Sequence, residues 1–278
     1  KDVKQSIDTS TVMAIVKNLV ALHRAGVFDD RTAVKSIVDK LTDKKQIRKS
    51  RLLPFRFYSA WKEVNKLPSS YGVRAVSDAL VTALDLSSDN LQKMEGYNAI
   101  LIDRSGSMQY PVSSMSTVRA DEIALILGAI CFKQGVGEVY VFGNTCQRVN
   151  GLSSRSTVID LVEQIRRVQV GGGTQLDIAL GVISADARKS KFDNLILLSD
   201  NDCYHSTGKS FALRTYWGGS SFDDIVNNMI KQGLIKKFYL NNLLGNSFAV
   251  VNTDDFRKNL ITGFSERIVD VINIYGVL

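Results

Sequence analysis

The 278-residue sequence is poor in the residues that build redox, zinc and hydrolytic sites. Its three cysteines, Cys131, Cys146 and Cys203, are scattered, odd in number and without a C-x-x-C pair. That argues against a disulfide framework or zinc site and for a reducing, cytoplasmic compartment. Only two histidines occur, His23 and His205. A Ser/His/Asp triad would have to use one of them, and neither lies in a recognisable motif. No run approaches the roughly 18 apolar residues of a membrane span, so no membrane association is expected. The opening "KDVKQSIDTS" lacks the apolar centre of a signal peptide and does not start with Met. The chain therefore reads as a fragment of a longer protein, a processed product or a shortened relative.

What is present reads as ordinary globular protein, 45% hydrophobic and 23% charged. The net charge of +7 is uneven. Residues 1–98 hold 17 Lys and Arg against 11 Asp and Glu, and the remainder holds 18 against 17. The basic excess thus belongs to the N-terminal third, which becomes the part suited to an anionic partner; a solvated helical face is the plainer alternative.

Residues 9–87 show helical spacing. "TSTVMAIVKNLVALHRAG" offers caps at Thr9 or Ser10, an apolar stripe from Val12 through Leu22, and a stop at Gly26. "DRTAVKSIVDKL" repeats the pattern, a third helix starts around Pro54, and "YGVRAVSDALVTALDL" makes a fourth. Helices joined by short polar turns predict paired, HEAT-like stacking. From Asn98 the texture changes. "AILI", "EVYVF", "NLILLS" and "KKFYLNNL" are short apolar runs with amphipathic segments between several of them, at 118–135 and 175–189, and a last helix at 265–275. This alternation predicts an α/β, Rossmann-like, mainly parallel sheet covered on both faces. The boundary falls in "SSDNLQKMEG", giving a helical region over 1–92 and an α/β domain over 93–278.

The run "NAILIDRSGSM" ends a buried strand on Asp103, Ser105 and Ser107. In such sheets, sites form outside the carboxyl ends of strands. The D-x-S-x-S spacing lets one loop aim a carboxylate and two hydroxyls at one point, with Gly106 turning the backbone and Arg104 pointing elsewhere. "QVGGGTQLD" adds Thr174 after three glycines, and "NLILLSDND" ends another strand on Asp200. Hard oxygen donors of this kind suit Mg²⁺ or another divalent cation. A dinucleotide loop at "VGGGTQ" lacks its second half, and "TGKS" at 207–210 lacks the upstream glycine of a P-loop.

The order Asp103-x-Ser105-x-Ser107, then Thr174, then Asp200 resembles the metal-ion-dependent adhesion site of von Willebrand factor A domains. The resemblance implies direct ligation by Ser105, Ser107 and Thr174. It implies that Asp103 and Asp200 bond mainly through waters, and that an open position accepts an acidic group from a partner. The stretch "LLSDNDCYHSTGKSFALRTY", the C-terminal "SFAVVNTDDFRKNLITGFSERIVDVINIY", and the N-terminal "NLVALHRAGVFDD" and "VDKLTDKKQIRKSRLLPFRFYSAW" resemble the Ro autoantigen, or TROVE, family. That resemblance implies binding of small noncoding or misfolded RNA by a HEAT-like ring closed by the A domain. The residues that would contact phosphate are Lys44, Lys45, Arg48, Lys49, Arg51 and Arg56, in "DKKQIRKSRLLPFR" at an interhelical junction where helix N-termini assist.

Four or five helices cannot close a ring, which leaves a second reading open: a protein-interaction or structural subunit of an oligomer or larger assembly that grips an acidic side chain through the metal. No enzyme is expected, since Asp103 and Asp200 have no positioned nucleophile or base beside them. Phe57, Trp61 and Cys131 read as core, and Trp217 as lining a loop near the metal face.

Overall fold

A computed structural model describes residues 3–112, 118–203, 221–245, 250–263 and 268–276. His205, Trp217 and the 207–210 stretch lie outside the described residues. Contacts divide the chain into two units, residues 1–92 with 157–159, and residues 93–156 with 160–278. Among the described residues, no helix is long and apolar enough to cross a membrane.

The first unit holds α1 (Val3–Thr9), α2 (Val12–Arg24), α3 (Arg31–Thr42), α4 (Lys44–Ser50), α5 (Pro54–Val64) and α6 (Tyr71–Ser88). Each boundary has a chemical cause. Asp30 accepts from the Thr32 N–H at 2.8 Å to start α3, Ser70 accepts from the Val73 N–H at 3.2 Å to start α6, and Pro54 occupies the first turn of α5. Gly26, at φ 77°, stops α2. The α2 cap is Thr11, which accepts from the Ala14 N–H at 3.2 Å, rather than Thr9 or Ser10. Those two hydroxyls donate backwards, Ser10 to the Ser6 carbonyl at 2.8 Å and Thr9 to Gln5 at 3.0 Å, so they close α1 instead.

The apolar stripes turn inward as their spacing predicts. Ile15, Leu19, Val34, Ile37, Leu41, Phe57, Val76, Leu80 and Leu84 are all buried, and α6 packs against α3 and α5. Each such side chain contributes about 1.5–3 kcal/mol through its burial. Trp61 is only half-buried, its ring 5.8 Å from that of Tyr58.

The second unit is built on a six-stranded sheet in the order β3-β2-β1-β4-β5-β6. Its strands are β1 (Tyr97–Asp103), β2 (Val136–Phe142), β3 (Cys146–Arg148), β4 (Phe192–Ser199), β5 (Ile235–Asn242) and β6 (Lys258–Thr262). All neighbours are parallel except the edge pair β2–β3. The helices are α7 (Ala120–Gln134), α8 (Val158–Arg166), α9 (Leu176–Ala187), α10 (Phe222–Lys231) and α11 (Ile268–Gly276).

Strand alternation sorts the two faces. Ala99, Leu101, Leu195, Leu197, Phe238 and Leu240 join the core made with α9 and α10. The opposite parity meets α7, where a side chain at Gly128 would run into Ile102. On that same face, the Tyr239 hydroxyl donates to Ile272 of α11 at 3.2 Å. Both faces are covered, so the strands read as continuous apolar runs. Strand order reverses between β1 and β4, and their carboxyl ends frame the crevice where such sheets bind ligands.

Candidate metal centre and basic surface

Asp103 is the last residue of β1 and is wholly buried. One carboxylate oxygen accepts from the Ser105 N–H at 2.8 Å, and the other accepts from the Ser199 hydroxyl at 2.6 Å. Ser105 and Ser107 face each other, with their hydroxyl oxygens 3.0 Å apart. The Ser107 hydroxyl hydrogen-bonds Asp200, which follows β4 and also accepts from the Asp202 N–H at 3.1 Å. Thr174 is buried, and its loop is joined to the serine loop by the Gly106 N–H donating to the Gly172 carbonyl at 3.0 Å. Asp103, Ser105, Ser107 and Asp200 are thus linked by hydrogen bonds at the switch point, and Thr174 lies on the adjoining glycine loop.

Two local details differ from the sequence reading or refine it. Gly106 has ordinary right-handed dihedrals, φ −64° and ψ −34°, so it does not bend the chain by special geometry. The glycine that needs its freedom is Gly171, at φ 78°, packed on Asn144, whose side-chain oxygen in turn accepts from the Gly173 N–H. Arg104 does point away, donating to the Arg166 carbonyl at 3.0 Å.

Burial dominates the electrostatics. It pushes the Asp103 carboxyl up to about 7, against the hydrogen bonds from Ser199 and Ser105 and with help from the neighbouring Asp200 charge. Asp200 is also raised, first by burial, with the Asp202 N–H and the Ser107 hydroxyl opposing. Among the described residues no Lys or Arg pairs with Asp103, and no three His, Cys, Asp or Glu side chains converge. The donor set is two carboxylates and three hydroxyls, all oxygen, with two anionic groups drawn out of water. That set fits a hard divalent cation and does not fit a soft metal.

Sequence reasoning missed two contributors. Ser199, fully buried, binds Asp103, and Asn144 supports the glycine loop. A serine ending an apolar run carries no signal that separates it from an ordinary strand end.

The basic run is arranged differently from a loop junction. Lys44, Lys45, Arg48 and Lys49 lie on α4 itself and are exposed, as are Arg51 and Arg56 beyond it. At about 100° per residue the four helical cations share roughly 140° of arc, opposite the buried Ile47. The α4 N-terminus is closed to phosphate, because Asp43 already accepts from the Lys45 and Gln46 N–H groups at 2.7 and 3.2 Å. Lys44 reaches Asp89 at 3.1 Å. Lys49 borders a mainly apolar groove of about 570 Å³ that is also lined by Ser10, Val12, Met13 and Gln46.

Residues 6–103 match the TROVE domain. Over 217 residues the chain is 22% identical to the RNA-binding protein RO60 of Deinococcus radiodurans, covering 72% of this chain and 39% of that protein. The crystal structure of the Deinococcus radiodurans Ro protein superimposes with a TM-score of 0.72 at 18% identity, covering 96% of this chain and 53% of that one. Over these residues the chain is similar to TROVE/Ro proteins. It spans about half or less of the length of the relatives it matches. A von Willebrand factor type A protein from Catenulispora acidiphila also aligns, at 14% identity and TM-score 0.45, over 66% of this chain and 42% of its own. The TROVE domain match ends on Asp103, so it stops where the oxygen cluster begins.

Proposed function

We propose that this chain is a non-catalytic RNA-binding protein whose helical unit holds small noncoding or misfolded RNA through Lys44, Lys45, Arg48, Lys49, Arg51 and Arg56. The supporting observation is that all six side chains are exposed and four share one arc of α4, within the segment that matches the TROVE domain. Lysine and arginine on one helix face release counterions from phosphate, and no base-reading geometry is needed for that contact. The three free cysteines support a reducing, cytoplasmic setting.

In this reading the second unit carries an Mg²⁺ site. Ser105, Ser107 and Thr174 would ligate the ion directly, and Asp103 and Asp200 would act through water. When bound, the ion supplies an open position for an acidic group. The protein's own contribution would be to keep the Asp103 carboxylate and the Ser105 and Ser107 hydroxyls in place beside Asp200, with Thr174 on the adjoining loop, so that little reorganisation accompanies loading. A second reading, a structural or interaction subunit that grips an acidic partner residue, draws on this same cluster and needs no RNA.

The deciding experiment measures affinity for a structured RNA with a single-stranded end across a salt series. The chain should bind, with log affinity falling steeply as log salt rises. Replacing Lys44, Lys45, Arg48 and Lys49 together by Gln should reduce that slope by up to about 3. Absence of binding at low salt would transfer the function to the acidic-partner reading, and an unchanged slope would make the α4 cations a solvated face.

A further inference from the structure

Ser199 closes β4 with no exposed surface, outside the D-x-S-x-S spacing. Its hydroxyl proton is committed to Asp103 Oδ2 at 2.6 Å, and its oxygen accepts from the Asn201 N–H at 3.0 Å. Asn201 adopts the left-handed conformation at φ 66°, so the chain bends directly after Asp200. A non-glycine residue pays to stand there and needs its surroundings to hold it. One hydroxyl therefore fixes both carboxylate-bearing segments, the end of β1 through Asp103 and the turn after β4 through Asn201.

We propose that Ser199 is the positioning residue of the divalent-cation site, an inference that rests on the metal reading above. With Ser105 N–H on one oxygen and Ser199 O–H on the other, each Asp103 oxygen already has a protein donor. The carboxylate is thereby oriented before any ion arrives, and Ser105, Ser107 and Thr174 would supply the hydroxyls that hold it. Groups that orient ligands in this way govern metal affinity almost as strongly as the ligands do. The Cys203 thiol, 3.6 Å from the Ser199 oxygen, is too weak a donor to take over. Without the hydroxyl, Asp103 loses a donor and the Asn201 N–H loses this acceptor.

The test is calorimetric titration of the full chain with MgCl₂, with thermal melting of the metal-free protein measured in parallel. Ser199→Ala should bind Mg²⁺ about 10- to 100-fold more weakly than wild type. Ser199→Thr and Ser199→Val, which match each other in shape, isolate the hydroxyl even if both melt early: Thr should retain most of the affinity and Val should lose it. Wild-type affinity in Ser199→Ala, or equal affinities for Thr and Val, overturns the role of Ser199. No Mg²⁺ binding by wild type overturns the metal reading itself, a separate result.

Discussion

Lys258 Nζ lies 2.6 Å from Asp223 Oδ1, with the lysine side chain only 4% exposed. The pair joins the first turn of α10 to the start of the edge strand β6. The same carboxylate also accepts from the Asn252 N–H at 2.8 Å and from the Asn227 side-chain amide at 2.9 Å. Asp223→Ala would leave an ammonium buried without its counter-charge and two further donors unmatched. A loss of about 3–5 kcal/mol is expected, read as a lower urea midpoint at similar slope. A midpoint within error of wild type would mean that Lys258 finds water when its partner is removed.

Asp255 offers a pH-dependent counterpart. Arg257 grips it with two nitrogens, Nε to Oδ1 at 2.9 Å and Nη2 to Oδ2 at 2.6 Å. That side-chain hydrogen bonding is the main reason its carboxyl falls from 3.8 to about 2. A depressed folded-state value means that the unfolded chain binds the proton first as pH falls. The stabilisation is therefore complete above about 3.8 and disappears as pH drops through about 2. Asp255→Asn should melt below wild type at pH 5 and converge with it near pH 2, with the gap at pH 5 shrinking in high salt. A gap that persists unchanged at pH 2 would show that the contribution is not this ionisation.

The elements that could be read in advance are those whose pattern and surroundings agree. Val73, Val76, Leu80 and Leu84 stand at helical spacing and are all buried in α6, and the apolar runs of β1, β2, β4 and β5 became the covered strands. Three of the missed elements, α4, β3 and β6, had no such agreement. α4 carries one buried residue, Ile47, among cations, so its apolar periodicity is a single point. β3 is three residues long and half-exposed, and β6 mixes a buried lysine with an exposed Leu260; both exist because a neighbouring strand offers an edge. At the cluster, Asp103, Ser105, Ser107, Thr174 and Asp200 could be singled out as candidates because oxygen-bearing residues at the ends of apolar runs are unusual in combination. Ser199 was not, because its role depends on Asp103, 96 positions away in the chain.

Metal loading gives the second unit its own check. Asp103 is buried beside the Asp200 charge, and a divalent cation would offset what burial costs both carboxylates. Wild type should therefore gain thermal stability from added MgCl₂ and lose that gain with EDTA, in proportion to RT ln(1 + [Mg²⁺]/Kd). Asp103→Ala should keep its far-ultraviolet circular dichroism and show no Mg²⁺-dependent rise in melting temperature. An identical rise in the variant would remove Asp103 from the site.

Among the described residues Lys44 is the α4 cation already engaged, 3.1 Å from Asp89, with both side chains more than half exposed. Such a pair contributes little to folding, about 0–1 kcal/mol, and opens readily. It nevertheless competes with phosphate for the same ammonium, and Asp89 places a negative charge beside the proposed RNA face. Asp89→Asn should leave the urea midpoint nearly unchanged while tightening RNA binding at low salt, and the gain should fade as salt screens the pair. Lys44→Gln in the same background should cancel the gain. If Asp89→Asn tightens binding equally with Lys44 absent, the carboxylate acts by general repulsion; if neither change moves RNA affinity, the RNA does not run along this part of α4.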